Sequence, residues 1–475
     1  MAAVPEIHET REIEIFPPDD EEAEPLPADF SEDALAVHWV KRHGKDWRYV
    51  SQWDQWLRWT GDHWEQERKK GAIELARTIT RQALLWPGLT QTARLRVNSA
   101  KTAHAMLTFV RSDPVIATVP EQFDTNPYLL GVPNGQIDLE ACKYVEAERE
   151  AYITKQCVIA PQTGIPERWC EFLKQVSAGN SDVVSYLQRY AGYCLSGDTS
   201  EHALAFLYGT GANGKTTFVQ CLLGILGAYA LTAPIETFAE TRSERHSTEL
   251  ARLRGARLVA TEETGTGTRW NESRIKNLTG GNRISAHFMR QDDFEFQPEF
   301  KLLIAGNHKP SMRSVDEAMK RRMHIVPFTV TIPEEDRDPH LNAKLKEEWP
   351  KILNWMIEGH AAWRDYRLAP PEDVRNATEK YLISNDTLGA WLEDRCEREG
   401  STDGRTLYND YTHWCDEQGE TPWKRRGWSD AMIDRGFKDF IRRLGGTPAR
   451  GFDGIQLRNP TPLRNGGFNK FNDMG

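Results

Sequence analysis

The segment GTGANGKT, from Gly209 to Thr216, constrains the fold more than any other part of this 475-residue chain. It fits the pattern G-x-x-x-x-G-K-[ST] in full, and it lies between an apolar run, LAFLY, and a helical pattern, TFVQCLLGIL. Glycines in such a turn allow backbone N–H groups to face phosphates, and the N-terminus of the following helix favours negative charge. The sequence therefore predicts an α/β fold with a phosphate-binding loop (P-loop) between a buried strand and a helix.

The chemistry of this loop suits ATP and Mg²⁺. Lys215 is expected to reach the β- and γ-phosphates, and the hydroxyl of Thr216 is expected to bind the metal. The predicted ATP-binding residues are Gly209, Thr210, Gly211, Ala212, Asn213, Gly214, Lys215, Thr216 and Thr217.

A second motif, LVATEE, is a short apolar run that ends in the carboxylates of Glu262 and Glu263. Mg²⁺ prefers oxygen ligands, and a second acid beside the phosphates can polarise the attacking water. We assign Glu262 to the metal and Glu263 to the water, and the order of the two stays open.

Two further groups complete the predicted ATP site. The apolar run KLLIAG ends at Asn307, whose amide is suited to orient the water and to sense hydrolysis. Arg321 and Arg322 directly precede another apolar run, from Met323 to Phe328. Such a pair suits an arginine finger that reaches a neighbouring subunit's nucleotide, and Arg322 is slightly favoured because it adjoins the strand. A surface charge run is the alternative interpretation.

The order of these motifs, with IKNLTGGNRISAHFMRQDDFEF between the second and the third, resembles that of superfamily 3 helicases. More narrowly, the chain resembles the primase–helicases of phages and plasmids. NPYLLGVPNGQIDLE looks like the family's helicase-associated segment, and LYNDYTHWCDEQGE looks like the start of its C-terminal winged module. The resemblance covers residues 31–460, and it implies an AAA+-like core in a homo-hexameric ring that moves along single-stranded DNA.

The resemblance also implies which central residues contact DNA. Lys276 begins the motif KNLTGG, and a hairpin from His287 to Phe296 would enter the ring channel. His287, Phe288 and Arg290 combine charge with an aromatic face, which suits a phosphate backbone and a stacked base. A plain β-turn is the alternative interpretation of this hairpin.

Patterning divides the chain into five predicted regions. They are a disordered acidic tail at 1–30, a mixed α+β helicase-associated region at 31–197, the ATPase and helicase domain at 198–370, a winged helix at 371–460 and a tail at 461–475. Within the second region we expect two strands around Gly61-Asp62 and helices at 71–85, at 92–110 and, as a pair, at 166–197. Six tryptophans from Trp39 to Trp64 either form a core, which is favoured, or stack on bases.

The C-terminal pattern predicts helices at 387–398, 407–418 and 427–435, followed by a hairpin at 438–457. Three helices and a hairpin describe a winged helix, used either for DNA or for protein contacts. The basic residues expected to touch DNA from its recognition helix and wing are Lys424, Arg425, Arg426, Arg442, Arg443 and Arg450.

Charge and composition restrict the remaining possibilities. The net charge of -10 argues mildly against nucleic-acid binding, but the acidic residues concentrate at 7–33 and basic residues predominate from 424 to 470. We find no apolar run long enough to span a membrane and no secretory signal. Seven cysteines without a C-x-x-C pair argue against a zinc site and a disulfide framework. We therefore expect a cytoplasmic protein in a bacterial or phage-infected cell.

The resulting hypothesis is an ATP-dependent DNA helicase that acts on single-stranded and forked DNA in phage or plasmid replication. Family members often carry a primase domain before the helicase, but no cluster of metal-binding acids or histidines precedes the P-loop, so we expect a separate primase. The alternative function is an origin-binding initiator ATPase that melts DNA without processive unwinding. A regulatory or defence ATPase that does not bind DNA is a third class, against which the hairpin and the basic C-terminus argue.

Overall fold

The computed structural model describes residues 29–85, 89–240, 248–262, 268–287, 293–312, 315–420, 422–444 and 447–458. The chain divides into two compact units. The first runs to Thr60 and continues over Glu65–Gln122, and the second combines Gly61–Trp64 with everything from Phe123 onward. The predicted tails at 1–30 and 461–475 lie outside the described residues, apart from Asp29 and Phe30. The predicted boundaries at 197 and 370 stay predictions, since both fall inside the second unit.

The first unit packs four helices against a small sheet whose strand order is β3-β2-β1-β4. Its helices are α1 (Glu32–His43), α2 (Gly71–Ala83), α3 (Gln91–Val97) and α4 (Ala100–Ser112). The strands are β1 (Trp47–Val50), β2 (Gln55–Trp59), β3 (Trp64–Gln66) and β4 (Ala117–Thr118). The two strands predicted around Gly61-Asp62 are β2 and β3, and β1 is a further strand.

Two predictions for this unit can be judged. Trp39 and Trp47 are buried with ring centroids 5.9 Å apart, and the Trp56 ring lies 5.7 Å from that of Trp39. The core interpretation is therefore confirmed for these tryptophans. The prediction of a single helix over 92–110 is wrong, because the helix is interrupted at Asn98 and Ser99. The Ser99 hydroxyl accepts a hydrogen bond from the Thr102 N–H and caps α4, which favours a new helix start there.

The second unit begins with a three-stranded antiparallel sheet and two helices, as predicted for 166–197. These elements are β5 (Leu129–Val132), β6 (Gly135–Asp138), β7 (Lys143–Val145), α5 (Glu167–Val176) and α6 (Ser181–Tyr193). The central region follows with β8 (Leu204–Tyr208), α7 (Lys215–Leu226), β9 (Ala230–Thr232), α8 (Thr248–Ala251), β10 (Leu258–Glu262), α9 (Glu272–Thr279), β11 (Ile284–Ala286), β12 (Phe294–Phe296), β13 (Lys301–Gly306), α10 (Glu317–Lys320), β14 (Met323–Pro327) and α11 (Leu341–Tyr366).

Five of these strands form a parallel sheet in the order β14-β8-β13-β10-β9. Alternate residues of β8 enter two different apolar clusters: Ala205 and Leu207 pack into one, and Leu204 and Phe206 pack into the other. Burial on both faces explains why this strand is a continuous apolar run in the sequence. The α/β class with a parallel sheet is confirmed.

Helices α6 and α11 approach each other closely on one side of this sheet. A Cβ atom on Gly192 would lie 2.1 Å from the backbone nitrogen of His360, so only glycine permits this distance between the helices. On the opposite side of α6, the Tyr190 hydroxyl donates to the carbonyl of Leu302 in β13 at 2.6 Å. Together these contacts fix α6 between the long helix α11 and the sheet that carries the P-loop.

After Pro370-Pro371 the chain forms α12 (Glu372–Ser384) and then the three predicted helices, α13 (Thr387–Arg395), α14 (Gly404–Gln418) and α15 (Arg425–Asp434). The predicted hairpin is β17 (Lys438–Leu444) with β18 (Thr447–Asp453). Two short strands between α13 and α14 were not predicted, β15 (Cys396–Glu397) and β16 (Ser401–Asp403). β16 pairs with β18, and β15 pairs with β19 (Gln456–Leu457). Trp391, Tyr411 and Trp428 form the centre of the core of this region.

Two further features concern the helices and the cysteines. Across the described ranges, no helix has the length and apolar character that a membrane span requires. All seven cysteines fall within those ranges, and each is a free thiol.

Candidate functional site

The site lies at the edge of the parallel sheet where β8, β13 and β10 end. The P-loop follows β8, Asn307 follows β13, and Glu262 is the last residue of β10. The strand register pairs Tyr208 with Gly306 and Ala305 with Glu262, so the three strands end side by side. In open α/β sheets, ligands bind outside the carboxyl ends of the strands.

The P-loop is held by bonds to the chain that follows β14. The side-chain amide of Asn213 donates to the carbonyl of Phe328 at 2.8 Å, and the Ile332 N–H donates to the carbonyl of Ala212 at 2.8 Å. A Cβ atom on Gly209 would lie 2.0 Å from Asn213 Nδ2 and 2.1 Å from the Phe328 oxygen, so a side chain has no room there. Gly214 has a φ of +82°, a conformation that glycine adopts without strain. These contacts within the protein therefore hold the loop in its shape.

Lys215 connects the P-loop to the predicted sensor residue. Its ammonium donates to the carbonyl of Gly209 at 2.8 Å, to Asn213 Oδ1 at 2.8 Å and to Asn307 Oδ1 at 2.9 Å. The side chain is only 6% exposed, and burial lowers the pKa of its ammonium. The structure thus brings together two residues that are 92 positions apart in the chain and that the sequence assigned to one site.

A cavity of about 340 Å³ opens in front of this lysine. It is lined by Gly211, Ala212, Asn213, Gly214, Lys215, Thr216, Thr217, Ala305, Gly306 and Asn307. Of the predicted ATP-binding residues, Gly209 lies beneath the loop, where its carbonyl accepts from Lys215, and Thr210 is exposed outside the lining. A second cavity, of about 460 Å³, shares Ala212, Gly214 and Thr217 with the first and extends to Phe172 and Arg337.

The two predicted carboxylates are only partly covered by the structure. Glu262 belongs to β10, so its backbone is at the correct edge of the sheet, and its side chain lies outside what is described. Glu263 lies outside the described residues altogether. Their assignments to metal and water stay predictions.

Lys309 is a cation near the site that sequence reasoning missed. Its ammonium lies 4.1 Å from the ring centroid of Tyr208, the last residue of β8, and burial lowers its pKa. The only signal in the sequence was a basic residue two positions after Asn307.

The two arginines before β14 differ sharply in position. Arg322, which the sequence slightly favoured as the arginine finger, has a side chain that is only 6% exposed. Its Nε donates to the hydroxyl of Thr279 at 3.1 Å, and its Nη1 donates to the carbonyl of Ala318 at 2.8 Å. Burial, together with the charge of Arg321, lowers the pKa of this guanidinium. Arg321 is exposed. A group that acts on a neighbouring molecule has to be accessible, and of the two arginines only Arg321 is exposed.

The predicted hairpin is present as the antiparallel pair β11–β12. His287 follows β11 and lies 3.1 Å from the carboxylate of Asp293, while Phe288 and Arg290 lie outside the described residues. Lys276, expected to contact DNA, forms an ion pair with Asp316. Its ammonium is therefore engaged within the protein.

The C-terminal basic residues fall into two groups. Lys424, Arg425 and Arg426 are exposed at the start of α15, where the Arg425 guanidinium lies 5.9 Å from the ring centroid of Tyr408. On the hairpin, Arg442 pairs with Asp453 at 2.6 Å and Arg450 pairs with Asp439 at 3.2 Å. The Arg443 side chain lies outside what is described. The exposed group on α15 thus offers more positive charge to a ligand than the paired arginines of the hairpin.

A second buried lysine lies at the opposite edge of the sheet. Lys301, the first residue of β13, donates to the carbonyls of Ser196 and Glu299, and its ammonium lies 4.5 Å from the ring centroid of Tyr193. Burial lowers its pKa to about 7.

Two family models match parts of the chain. Residues 36–178 match the family model described as "D5 N terminal like", and residues 207–322 match a "Family of unknown function (DUF5906)". The second match begins within β8 and ends at Arg322, so it contains the P-loop, Asn307 and both arginines.

Parts of the chain are also similar to curated viral proteins. The "Putative helicase L207/L206" of Acanthamoeba polyphaga mimivirus is 31% identical over 59% of this chain and 32% of its own length. The "Putative helicase 022R" of frog virus 3 is 25% identical over 48% of this chain and 26% of its own length. The "Putative primase C962R" of African swine fever virus (isolate Tick/Malawi/Lil 20-1/1983) is 23% identical over 61% of this chain and 32% of its own length. The chain is similar to viral proteins of the helicase and primase class. It spans about a third of the length of these curated relatives, or less.

One solved structure shares the fold. The "apo structure of NrS-1 C terminal region (305-718)" aligns with a TM-score of 0.51 at 9% identity, and the alignment covers 90% of this chain and all of that one. At this identity the likeness concerns the fold alone.

Proposed function

We propose that the chain is an ATP-dependent DNA helicase motor with a superfamily 3, AAA+-like P-loop core. The observation that carries this proposal is the contact of Lys215 with Asn307 across the ends of β8 and β13. A phosphate-reaching cation and a water-orienting amide meet at the edge of a parallel sheet where nucleotides bind. The similarity to viral helicases supports DNA unwinding as the use of this site.

The site fits ATP with Mg²⁺. The buried Lys215 ammonium donates to three oxygens, which a phosphate can replace, and the exposed Thr216 lines the cavity at the start of α7. Mg²⁺ held by Thr216 and Glu262 would supply positive charge to the β- and γ-phosphates. Lys215 then orients and stabilises the γ-phosphate, and Asn307, released from Lys215, can hold the attacking water. The second cavity continues from Thr217 and is the place for the nucleoside.

We further propose that the motor is a hexameric ring with active sites shared between subunits. Arg321, exposed at the end of α10, would stabilise the charge that develops on a neighbour's nucleotide, a role that contributes about 10³- to 10⁵-fold in rate. A ring gives each finger a neighbouring site to act on.

DNA would be bound by two elements. The β11–β12 hairpin would contact single-stranded DNA in the channel through His287, Phe288 and Arg290. The order α13-β16-α14-α15-β17-β18 suits a winged helix with α15 as its recognition helix, because Lys424, Arg425 and Arg426 are exposed at the N-terminal end of that helix. Phosphates respond to such local positive charge rather than to the net charge of the chain.

An origin-binding initiator is the second candidate, and the exposed cations on α15 are the observation that favours it. A protein that only grips and melts duplex DNA would need α15 and ATP but no processive movement. A primase as partner and a cytoplasmic setting complete the helicase proposal.

Strand displacement on a forked substrate tests the proposal. The parent chain should release the labelled strand only with ATP and Mg²⁺, and Lys215→Ala should not. ATP hydrolysis without displacement of a forked duplex, combined with duplex binding, would favour the initiator instead.

A further inference from the structure

The four-residue helix α10, which leads to Arg321, is attached to helix α9 at both of its ends. At its start, the carboxylate of Asp316 pairs with the ammonium of Lys276. At its end, Arg322 donates to the hydroxyl of Thr279. Lys276 and Thr279 are three residues apart and so lie on one face of α9. We call these two interactions the α9–α10 contact.

Further hydrogen bonds hold Asp316 and Thr279 in place. Asp316 caps α10 by accepting from the N–H of Met319 at 2.8 Å, and its hydrogen bonds to Lys276 and Met319 outweigh burial and lower its pKa. Thr279 is buried, its hydroxyl donates to the carbonyl of Ile275 at 2.7 Å, and His202 lies 2.8 Å from its carbonyl oxygen. We therefore expect a movement of α9 to be passed on to α10.

Helix α9 is in turn the element that precedes the hairpin in the chain. It ends at Thr279, and the turn at Gly280 and Gly281 leads directly into β11. The hairpin thus joins α9 at one end, while β12 leads towards β13 and Asn307 at the other.

We propose that the α9–α10 contact positions Arg321 according to whether the hairpin of the same subunit holds DNA. Asp316 and Arg322 are positioning residues, and Arg321 is the group that acts on the neighbour's nucleotide. The proposal rests on the proposed function and adds its regulation: DNA bound by one subunit controls hydrolysis at the site that this subunit's arginine completes. It also gives roles to Lys276 and Arg322 other than those expected from the sequence.

Asp316→Asn in the full chain is the primary test, because asparagine keeps the helix cap and loses the charge of the ion pair. We expect stimulation of ATPase activity by single-stranded DNA to fall on the order of tenfold, which is within the usual range for coupling between sites. The basal rate, the KM for ATP and the affinity for single-stranded DNA should stay at parental values. Thr279→Val, which removes the acceptor of Arg322, should give the same result.

Glu317→Gln is the matched control, since Glu317 is an exposed carboxylate of the same helix that pairs only with its helical neighbour Lys320 among the described residues. Lys276→Arg keeps the positive charge opposite Asp316, so it should preserve the stimulation of ATPase activity by single-stranded DNA. Preserved stimulation would show that a substitution at the α9–α10 contact does not by itself disrupt the fold. Parental stimulation in both Asp316→Asn and Thr279→Val would overturn the proposal while leaving the helicase function intact. A loss of DNA affinity in Asp316→Asn would also overturn it.

Rings that contain two different variants show whether the loss of stimulation by DNA acts through Arg321. Subunits with both Lys215→Ala and Asp316→Asn are mixed with subunits carrying Arg321→Ala, so that each working site combines the second subunit's Lys215 with the first subunit's Arg321. Loss of stimulation in this mixture, relative to one made with Lys215→Ala alone, assigns the effect to the arginine. A parent chain whose ATPase rate does not respond to DNA would instead refute both the hairpin's role and this inference.

Discussion

Replacing Lys215 with alanine removes the ammonium that donates to Gly209, Asn213 and Asn307. A neutral hydrogen bond contributes about 0.5–1.5 kcal/mol net, and one to a charged group about 1.5–3 kcal/mol. The lowered pKa of Lys215 shows that its burial opposes this gain, because the ammonium loses hydration. The two effects offset each other in part, so we expect the free energy of unfolding to fall by no more than about 3 kcal/mol.

The effect on catalysis should be far larger. Removing one positioned charge or donor from a transition state costs about 10²- to 10³-fold in kcat. No other ammonium or guanidinium lines the 340 Å³ cavity, among the residues that the structure describes, to replace the lost charge. Phosphate release at saturating ATP and Mg²⁺ measures the rate, and thermal unfolding of the same preparation measures the stability.

Lys174→Ala, on the exposed face of α5, is the matched control for loss of a lysine. It should hydrolyse ATP at the parental rate. Turnover within about tenfold of the parent in a folded Lys215→Ala variant would refute the assignment, since that loss is smaller than one electrostatic donor normally causes.

The other predictions concern the finger, the DNA-binding surfaces and a buried lysine. Arg321→Ala should fold normally and lose about 10³-fold or more in the rate of ATP hydrolysis. Mixing it with Lys215→Ala should restore ATPase activity, and a mixture as inactive as its components would exclude active sites shared between subunits. Arg290→Ala should keep basal ATPase activity but lose DNA stimulation and unwinding; if both persist, the channel contact lies elsewhere. Arg425→Ala and Arg426→Ala should each reduce the slope of log affinity for duplex DNA against log salt by about 0.9, and an unchanged slope would remove α15 from the interface. Lys301 has a pKa of about 7 in the folded protein and an ordinary pKa of 10.5, so above pH 7 the unfolded chain binds more protons than the folded one. The free energy of unfolding should therefore rise from pH 7 towards pH 8, and Lys301→Met should flatten that rise in thermal unfolding. An equal rise in both proteins would contradict this prediction.

The sequence was most informative where chemistry and backbone geometry coincide. The P-loop, Asn307 and the strands beside them could be predicted because a buried parallel strand is a short apolar run and because the loop needs glycine at fixed positions. The C-terminal helices and hairpin could be predicted from their periodicity. β16 could not, since SerThrAsp is short and polar and becomes a strand only by pairing with β18.

The different positions of the Arg321 and Arg322 side chains could not be predicted from the sequence, because the two residues are neighbours in the chain. Both arginines precede β14, but Arg322 turns inward to Thr279, a residue 43 positions earlier. Lys276 was likewise expected to face DNA because the resemblance placed it in the relevant motif, and its partner Asp316 lies 40 positions later. Contacts over such separations depend on the complete fold, and local patterns contain no information about them.

The contacts of Lys215 have a consequence for nucleotide exchange. The Lys215 ammonium has three oxygen partners within the protein, and in the proposed motor these partners can hold its charge after ADP dissociates. An unpartnered buried ammonium would otherwise make dissociation costly and would trap the product. In the proposed motor, the asparagines at 213 and 307 would therefore take the place of the phosphates between turnovers, and we expect this exchange of partners to weaken the affinity for the product.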